Sequence, residues 1–145
     1  MKVRVKSDGK DLFVGTLDGF DIFNDPDTSG GTMMDVSTRV PGKPRKGPSP
    51  MEMVLIGTGG CSAVDIIEIL RSMNEPVEGV IIDLEAERAE TMPKVFVTLQ
   101  MDYVVLGKVD LNKANQAVKL SADEYCSASI MIGKTAKITR SVRVQ

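Results

Sequence analysis

The sequence predicts an α+β domain whose strands cluster instead of alternating one for one with helices. Three observations predict it. The first third alternates apolar and polar residues between turn dipeptides. The middle holds one long apolar segment with the chemistry of a helix start. The remainder returns to alternating strands before and after short helical patterns. Clustered strands interrupted by helices fit α+β better than a βαβ succession. At 145 residues the chain is long enough for one domain, 1–145, with a real core, and short for two.

The first strands are short. "KVRVK" alternates, "DG" at Asp8-Gly9 supplies a hairpin turn, and "LFVGTL" follows. A second "DG" at Asp18-Gly19 leads into "FDIF", Phe20 to Phe23, which completes a meander of three strands. From Asn24 to Pro50 the chain is rich in Gly, Pro, Ser and Asp, and it reads as a long surface loop with one short strand at "TMMDVS". Beyond the central segment, "VIIDLEAER" sets Ile82, Leu84 and Ala86 against Asp83, Glu85 and Glu87. "KVFVTLQMDYVVLG" sets Val95, Val97, Leu99, Met101 and Tyr103 against more polar neighbours. Each strand thus has one buried and one wetter face, the antiparallel pattern. "VDLNKANQAVKL" is a short helix capped by Asp110. "SADEYCSASIMIG" opens with Ser121 and Glu124 in capping-box spacing and runs to Gly133. "AKITRSVRV" is the last strand.

Composition removes several function classes. The 18 basic and 20 acidic residues leave a net charge of −2, which argues against nucleic acid as a partner. No run approaches the ~18 apolar residues of a membrane span, and "MKVRVKSDGK" reads as a strand and not as a signal peptide, so no membrane partner and a cytoplasmic location are expected. The chain has no histidine, which removes Ser-His-Asp and Cys-His catalysis and the common histidine metal sites. Its two cysteines, Cys61 and Cys126, form no CxxC and no four-ligand zinc set, so no metal or other cofactor is expected. Thiol chemistry here needs an activator other than imidazole.

The decisive stretch is "SPMEMVLIGTGGCSAVDIIEILRS", Ser49 to Ser72. It admits a phosphate-binding turn after a strand, or a helix that carries a thiol. Gly57 and Gly59 fit G-x-G-x-x-G, but the third glycine is replaced by Ser62. Ahead of the glycines, Ser49, Pro50 and Glu52 form a capping box with proline at the first helical position. That chemistry starts a helix before the glycines, so the helix reading is preferred. Its residues are apolar nearly all round until Asp65, Glu68 and Arg71, which predicts burial. Each internal glycine costs about 1 kcal/mol against alanine, and close approach of another element is the simplest compensation.

"SPMEMVLIGTGGCSAVDII", followed by "LSADEYCSASIMI", resembles the OsmC/Ohr family of osmotically inducible and organic-hydroperoxide-resistance proteins, in particular its OsmC-like branch. The resemblance covers nearly the whole chain. It implies antiparallel sheets around long central helices in an intertwined homodimer, with sites at the subunit interface. It also implies a peroxidase acting on small-molecule organic hydroperoxides. In that activity Cys61 attacks the peroxide, Cys126 resolves the sulfenic acid as a disulfide, and a dithiol reductant resets the pair. The family's arginine over the first thiol matches Arg39 in "STRVPGKPRKGPSP", with Arg45 as the alternative. One departure stands out: the family's glutamate ten positions before the first cysteine is Met51 here. Glu52, nine before, falls about 180° around the helix from Cys61, which assigns it to the cap.

The two cysteines admit this chemistry and a plainer alternative. A free thiol near pKa 8.5 is mostly protonated at neutral pH, and burial makes ionisation harder. A guanidinium opposes that, and a second thiol intercepts the sulfenic acid before overoxidation. Two buried, inert cysteines in a reducing compartment are the alternative, and Arg39 then is a solvated loop charge. Asp65 and Glu68 share the Cys61 face of the helix and mark where it meets water or a polar interface. The second functional class is a non-enzymatic dimer that binds a small apolar ligand or senses redox state.

Overall fold

The computed structural model describes residues 1–7, 13–17, 20–21 and 48–145, with 13–17 and 20–21 described by backbone alone. β1 (Lys2–Ser7), β2 (Phe13–Leu17) and β3 (Phe20–Asp21) precede α1 (Pro50–Ser72). β4 (Gly79–Arg88) and β5 (Phe96–Leu106) follow, then α2 (Leu111–Leu120), a π-helical turn at Ser121–Tyr125, α3 (Ser127–Ile132) and β6 (Lys137–Val144). The strands form one sheet in the order β3-β2-β1-β4-β5-β6. The α+β class is therefore as expected. The turn dipeptides at Asp8-Gly9 and Asp18-Gly19, and the strand expected at "TMMDVS", lie outside the described residues.

The sheet is antiparallel except at its edge, where β6 runs parallel to β5. The reason is the connection: α2, the π-turn and α3 carry the chain back across the sheet before β6 begins. β4 buries Ile82, Leu84 and Ala86, as its alternation predicts. In β5 the buried set is Phe96, Leu99, Met101, Tyr103, Val104 and Val105, while Val97 is 37% exposed. Val97 was expected inside. A register irregularity pairs Glu87 with Thr98 but Arg88 with Phe96, so Val97 is passed over and the faces exchange there.

α1 starts where its cap chemistry places it. Ser49 Oγ accepts from the Glu52 amide at 3.3 Å, and Glu52 Oε2 accepts from the Ser49 amide at 2.8 Å. Leu55, Ile66, Ile67 and Leu70 of α1 meet Val3, Val5, Ile82 and Leu84 of the sheet in one core. Against the expectation that no run approaches a membrane span, α1 is by length and composition apolar enough to cross a membrane, and half of that window is buried inside this fold. The helix is not buried all round as expected: Val54 and Val64 are 44% and 43% exposed. Close approach explains only one glycine. A β-carbon on Gly59 would meet Val5 and Leu84, whereas among the described residues nothing lies near one on Gly57 or Gly60.

Candidate functional site

Cys61 lies in the middle of α1, half-buried, and Asp65 follows one turn later on the same face. The partner group comes from far along the chain. α2 opens as expected, with Asp110 Oδ1 accepting from the Lys113 amide at 3.0 Å. Its end departs from expectation, because the helix predicted from Ser121 to Gly133 is broken. The Cys126 amide donates to the Ser121 carbonyl at 2.8 Å, closing a π-type turn. Cys126 then leaves helical geometry at φ −72°, ψ 87°, before α3 begins. Ser121 is therefore the C-cap of α2 and not an N-cap. Its buried hydroxyl turns inward and donates to Asp65 Oδ2 at 3.1 Å.

This break delivers Cys126 to α1. The Sγ atoms of Cys61 and Cys126 and a carboxylate oxygen of Asp65 all lie within 4.8 Å of one another. Both thiols are free. Cys126 is fully buried, with its sulfur 4.0 Å from the Thr58 carbonyl oxygen. Burial pushes the Cys126 thiol up, hydrogen bonds involving Ser129 oppose this, and the neighbouring Cys61 adds to it. Burial likewise raises the Asp65 carboxyl, against the pull of the Ser121 hydroxyl. A polar chain continues into the core: Ser121 Oγ lies 3.4 Å from Ser62 Oγ, and Ser62 Oγ lies 3.2 Å from the Tyr103 hydroxyl. Tyr103 OH donates on to Met101 Sδ at 3.5 Å. Burial raises the Tyr103 phenol, with Ser62 and the charge of Arg140 acting the other way.

Of the expected site residues, the structure brings Cys61 and Cys126 together, while Arg39 and its alternative Arg45 lie outside the described residues. Arg140 went unremarked in the sequence because β6 alternates. Ile138, Arg140 and Val142 occupy its less exposed face, and the Arg140 Nε is buried without a hydrogen-bond partner among the described residues. Glu52 is 2% exposed and serves the cap, as its angular position predicted. Ser62, Ser121 and Tyr103 were also missed. Beyond the cysteine pairing that the resemblance implies, the i, i+4 spacing of Cys61 and Asp65 is the legible signal of the cluster.

An apolar cleft of about 480 Å³ lies between α1 and α3. Met51, Val54, Gly57 and Thr58 of α1 form one wall, and Phe96, Ala128, Met131 and Ile132 form the others. It comes near Cys126 through Thr58, whose carbonyl faces the Cys126 sulfur, and through Ala128, two residues beyond it.

A family model described as OsmC-like protein matches residues 42–141. Protein YhfA of Escherichia coli K12 is 43% identical over 101 residues, spanning 68% of this chain and 75% of its own. A solved structure of a hypothetical protein from Aquifex aeolicus is 30% identical, with a TM-score of 0.63 over 92% of this chain and 88% of that one. The organic hydroperoxide resistance protein OsmC from Legionella pneumophila shares the fold at 20% identity, with a TM-score of 0.59 over 71% and 74% of the two chains.

Proposed function

The chain belongs to the OsmC-like family, and from that premise we propose that it is a cysteine-based peroxidase that reduces organic hydroperoxides. The observation that carries the reading is the approach of the Cys61 and Cys126 sulfurs to within 4.8 Å, from positions 65 residues apart (126 minus 61). In this mechanism the Cys61 thiolate attacks the outer peroxide oxygen and the O–O bond breaks. The alkoxide takes up a proton and leaves as an alcohol, and Cys61 becomes a sulfenic acid. Cys126 attacks that sulfur, water leaves, and a disulfide forms after the sulfurs close to about 2.05 Å. A dithiol reductant supplies the two electrons and two protons that restore both thiols. The apolar cleft suits the organic part of the substrate, since small-molecule sites are mostly apolar with few polar groups.

Arg39 supplies the positive charge that favours the Cys61 thiolate and the leaving oxygen. The working unit is a homodimer, which the exposed α1 stripe of Val54, Gly57 and Val64 supports. The test is dithiol-coupled consumption of cumene hydroperoxide. Cys61→Ser abolishes it, and Cys126→Ser permits about one turnover before Cys61 overoxidises. Arg39→Ala slows the first step by roughly tenfold to a hundredfold, the equivalent of ~1.5–3 kcal/mol for a charge-assisted contact.

One observation favours a second reading. Met51 stands at the position of the family's orienting glutamate and lines the apolar cleft. A dimer that binds a small apolar ligand without turning it over fits that wall equally well. Peroxide loss that is the same in wild type and Cys61→Ser selects the binding protein.

A further inference from the structure

We infer that Cys61, Asp65 and Cys126 together form a binding site for a thiophilic divalent cation of the Zn²⁺ class. The donors are of the right kind, two sulfurs and a carboxylate oxygen, and they come from two separate elements, α1 and the break before α3. Tetrahedral zinc, with Zn–S near 2.3 Å and Zn–O near 2.0–2.2 Å, sets its donors roughly 3.5–3.8 Å apart. Here no pair exceeds 4.8 Å, so closure around an ion takes about 1 Å for the widest pair. Side-chain rotation of Cys61 and Asp65 on the helix surface supplies motion of that size.

Asp65 is what a disulfide pair alone does not account for. A carboxylate beside two thiols opposes their ionisation, and two thiols need no carboxylate to join. As an oxygen donor it has a role, because three anionic groups in one small, partly buried volume are stabilised by a central cation. Among the described residues no lysine or arginine forms an ion pair with Asp65. Outer support is already in place. The Ser121 hydroxyl holds Asp65 Oδ2 and is itself close to Ser62, which is the kind of contact that orients a ligating carboxylate. Cys61 and Asp65 are half-buried while Cys126 is buried, so the site opens on one side, with a fourth position for water or another ligand.

Binding takes both sulfurs as thiolates and releases their protons to solvent, with no change in oxidation state. While the cation is held, neither sulfur is free to form the Cys61–Cys126 disulfide. Conversely, the disulfide removes two of the three donors. The inference stands on the donor geometry and holds whichever functional reading is correct.

The test uses the full chain, reduced with a phosphine and desalted. Zn²⁺ affinity is read by competition with a chromogenic chelator, and Cd²⁺ is used to read sulfur-to-metal charge transfer in the ultraviolet. The expected result is one equivalent per chain with a thiolate band. The band shrinks in Cys61→Ser and in Cys126→Ser and vanishes in the disulfide form. Asp65→Asn, which keeps the side-chain shape, weakens Zn²⁺ binding by on the order of a hundredfold, the upper end of what even outer-shell losses cost. Less than one equivalent on the reduced wild type, or full affinity in Asp65→Asn, overturns the inference.

Discussion

A β-carbon on Gly59 would stand 2.7 Å from Val5 Cγ2 and 2.9 Å from Leu84 Cδ1, closer than carbon atoms tolerate. Gly59→Ala therefore forces Val5, Leu84 or the helix itself to shift, and we expect a loss of about 1–3 kcal/mol in urea denaturation. Gly60 has open space at the same test among the described residues. There Gly60→Ala should raise the stability of the isolated fold by up to about 1 kcal/mol through helix propensity alone. The contrast separates a packing glycine from a permissive one within adjacent residues. Ser49 works differently, through the hydrogen bond its hydroxyl accepts from the Glu52 amide. Ser49→Ala should cost about 1 kcal/mol, measured the same way, by leaving a helix-start donor unpaired. At this scale the sequence was readable where chemistry is local. The capping box needs only Ser49, Pro50 and Glu52, and its outcome matched. The role of Ser121 was not readable, because its acceptor, Asp65, lies 56 residues away.

Elements repeat that division. β4 was legible because period-two alternation is itself the signal, and β5 was legible up to the irregularity opposite Glu87 and Arg88, which no composition announces. The break at Cys126 was hidden by a spacing, Ser121 to Glu124, that matches a helix start. Tertiary contact decided it, since the hydroxyl found a carboxylate on α1 instead of an amide on its own turn. Another contact between elements makes a prediction. Glu75, beyond the end of α1, accepts from Lys113 Nζ at 2.7 Å and from the Asp110 amide at 2.8 Å, tying the start of α2 to the helix it packs against. The Lys113 bond, with help from the Asp110 amide, lowers the Glu75 carboxyl below its ordinary value of 4.5. A depressed folded-state pKa gives stability that is complete above 4.5 and lost as pH falls through the lower folded value. Wild type should therefore lose more stability than Glu75→Gln as pH drops below 4.5, with the two curves parallel above it. Urea midpoints measured on both sides of that value check this, and parallel curves throughout would show the pair to be inert.

For the molecule as a whole, the unresolved balance is on the outer face of α1. A helix of 23 residues, apolar enough to span a bilayer by composition, has only half of its apolar window buried inside the fold. Val54 and Val64 remain open, with Gly57 exposed between them and Gly60 beside them. Exposed apolar surface of this kind, with small residues along it, suits close approach by a second helix. A second copy of the chain is the occupant that the family resemblance led us to expect, and the pairing would set one Cys61 near the other subunit. The prediction is a dimer in dilute solution, measured by light scattering. Gly60→Leu should shift it toward monomer while leaving the circular dichroism of the fold unchanged, because the added side chain meets nothing in its own chain within the described residues. Gly59→Leu should instead lower the stability of the fold itself, since its neighbours are Val5 and Leu84. A wild-type monomer, or a Gly60→Leu dimer as tight as wild type, would place the subunit contact elsewhere. Measuring peroxide consumption on the Gly60→Leu monomer then asks whether the second subunit contributes to the chemistry. Retained activity would confine the catalytic groups to one chain, and lost activity with an intact fold would make the dimer part of the site.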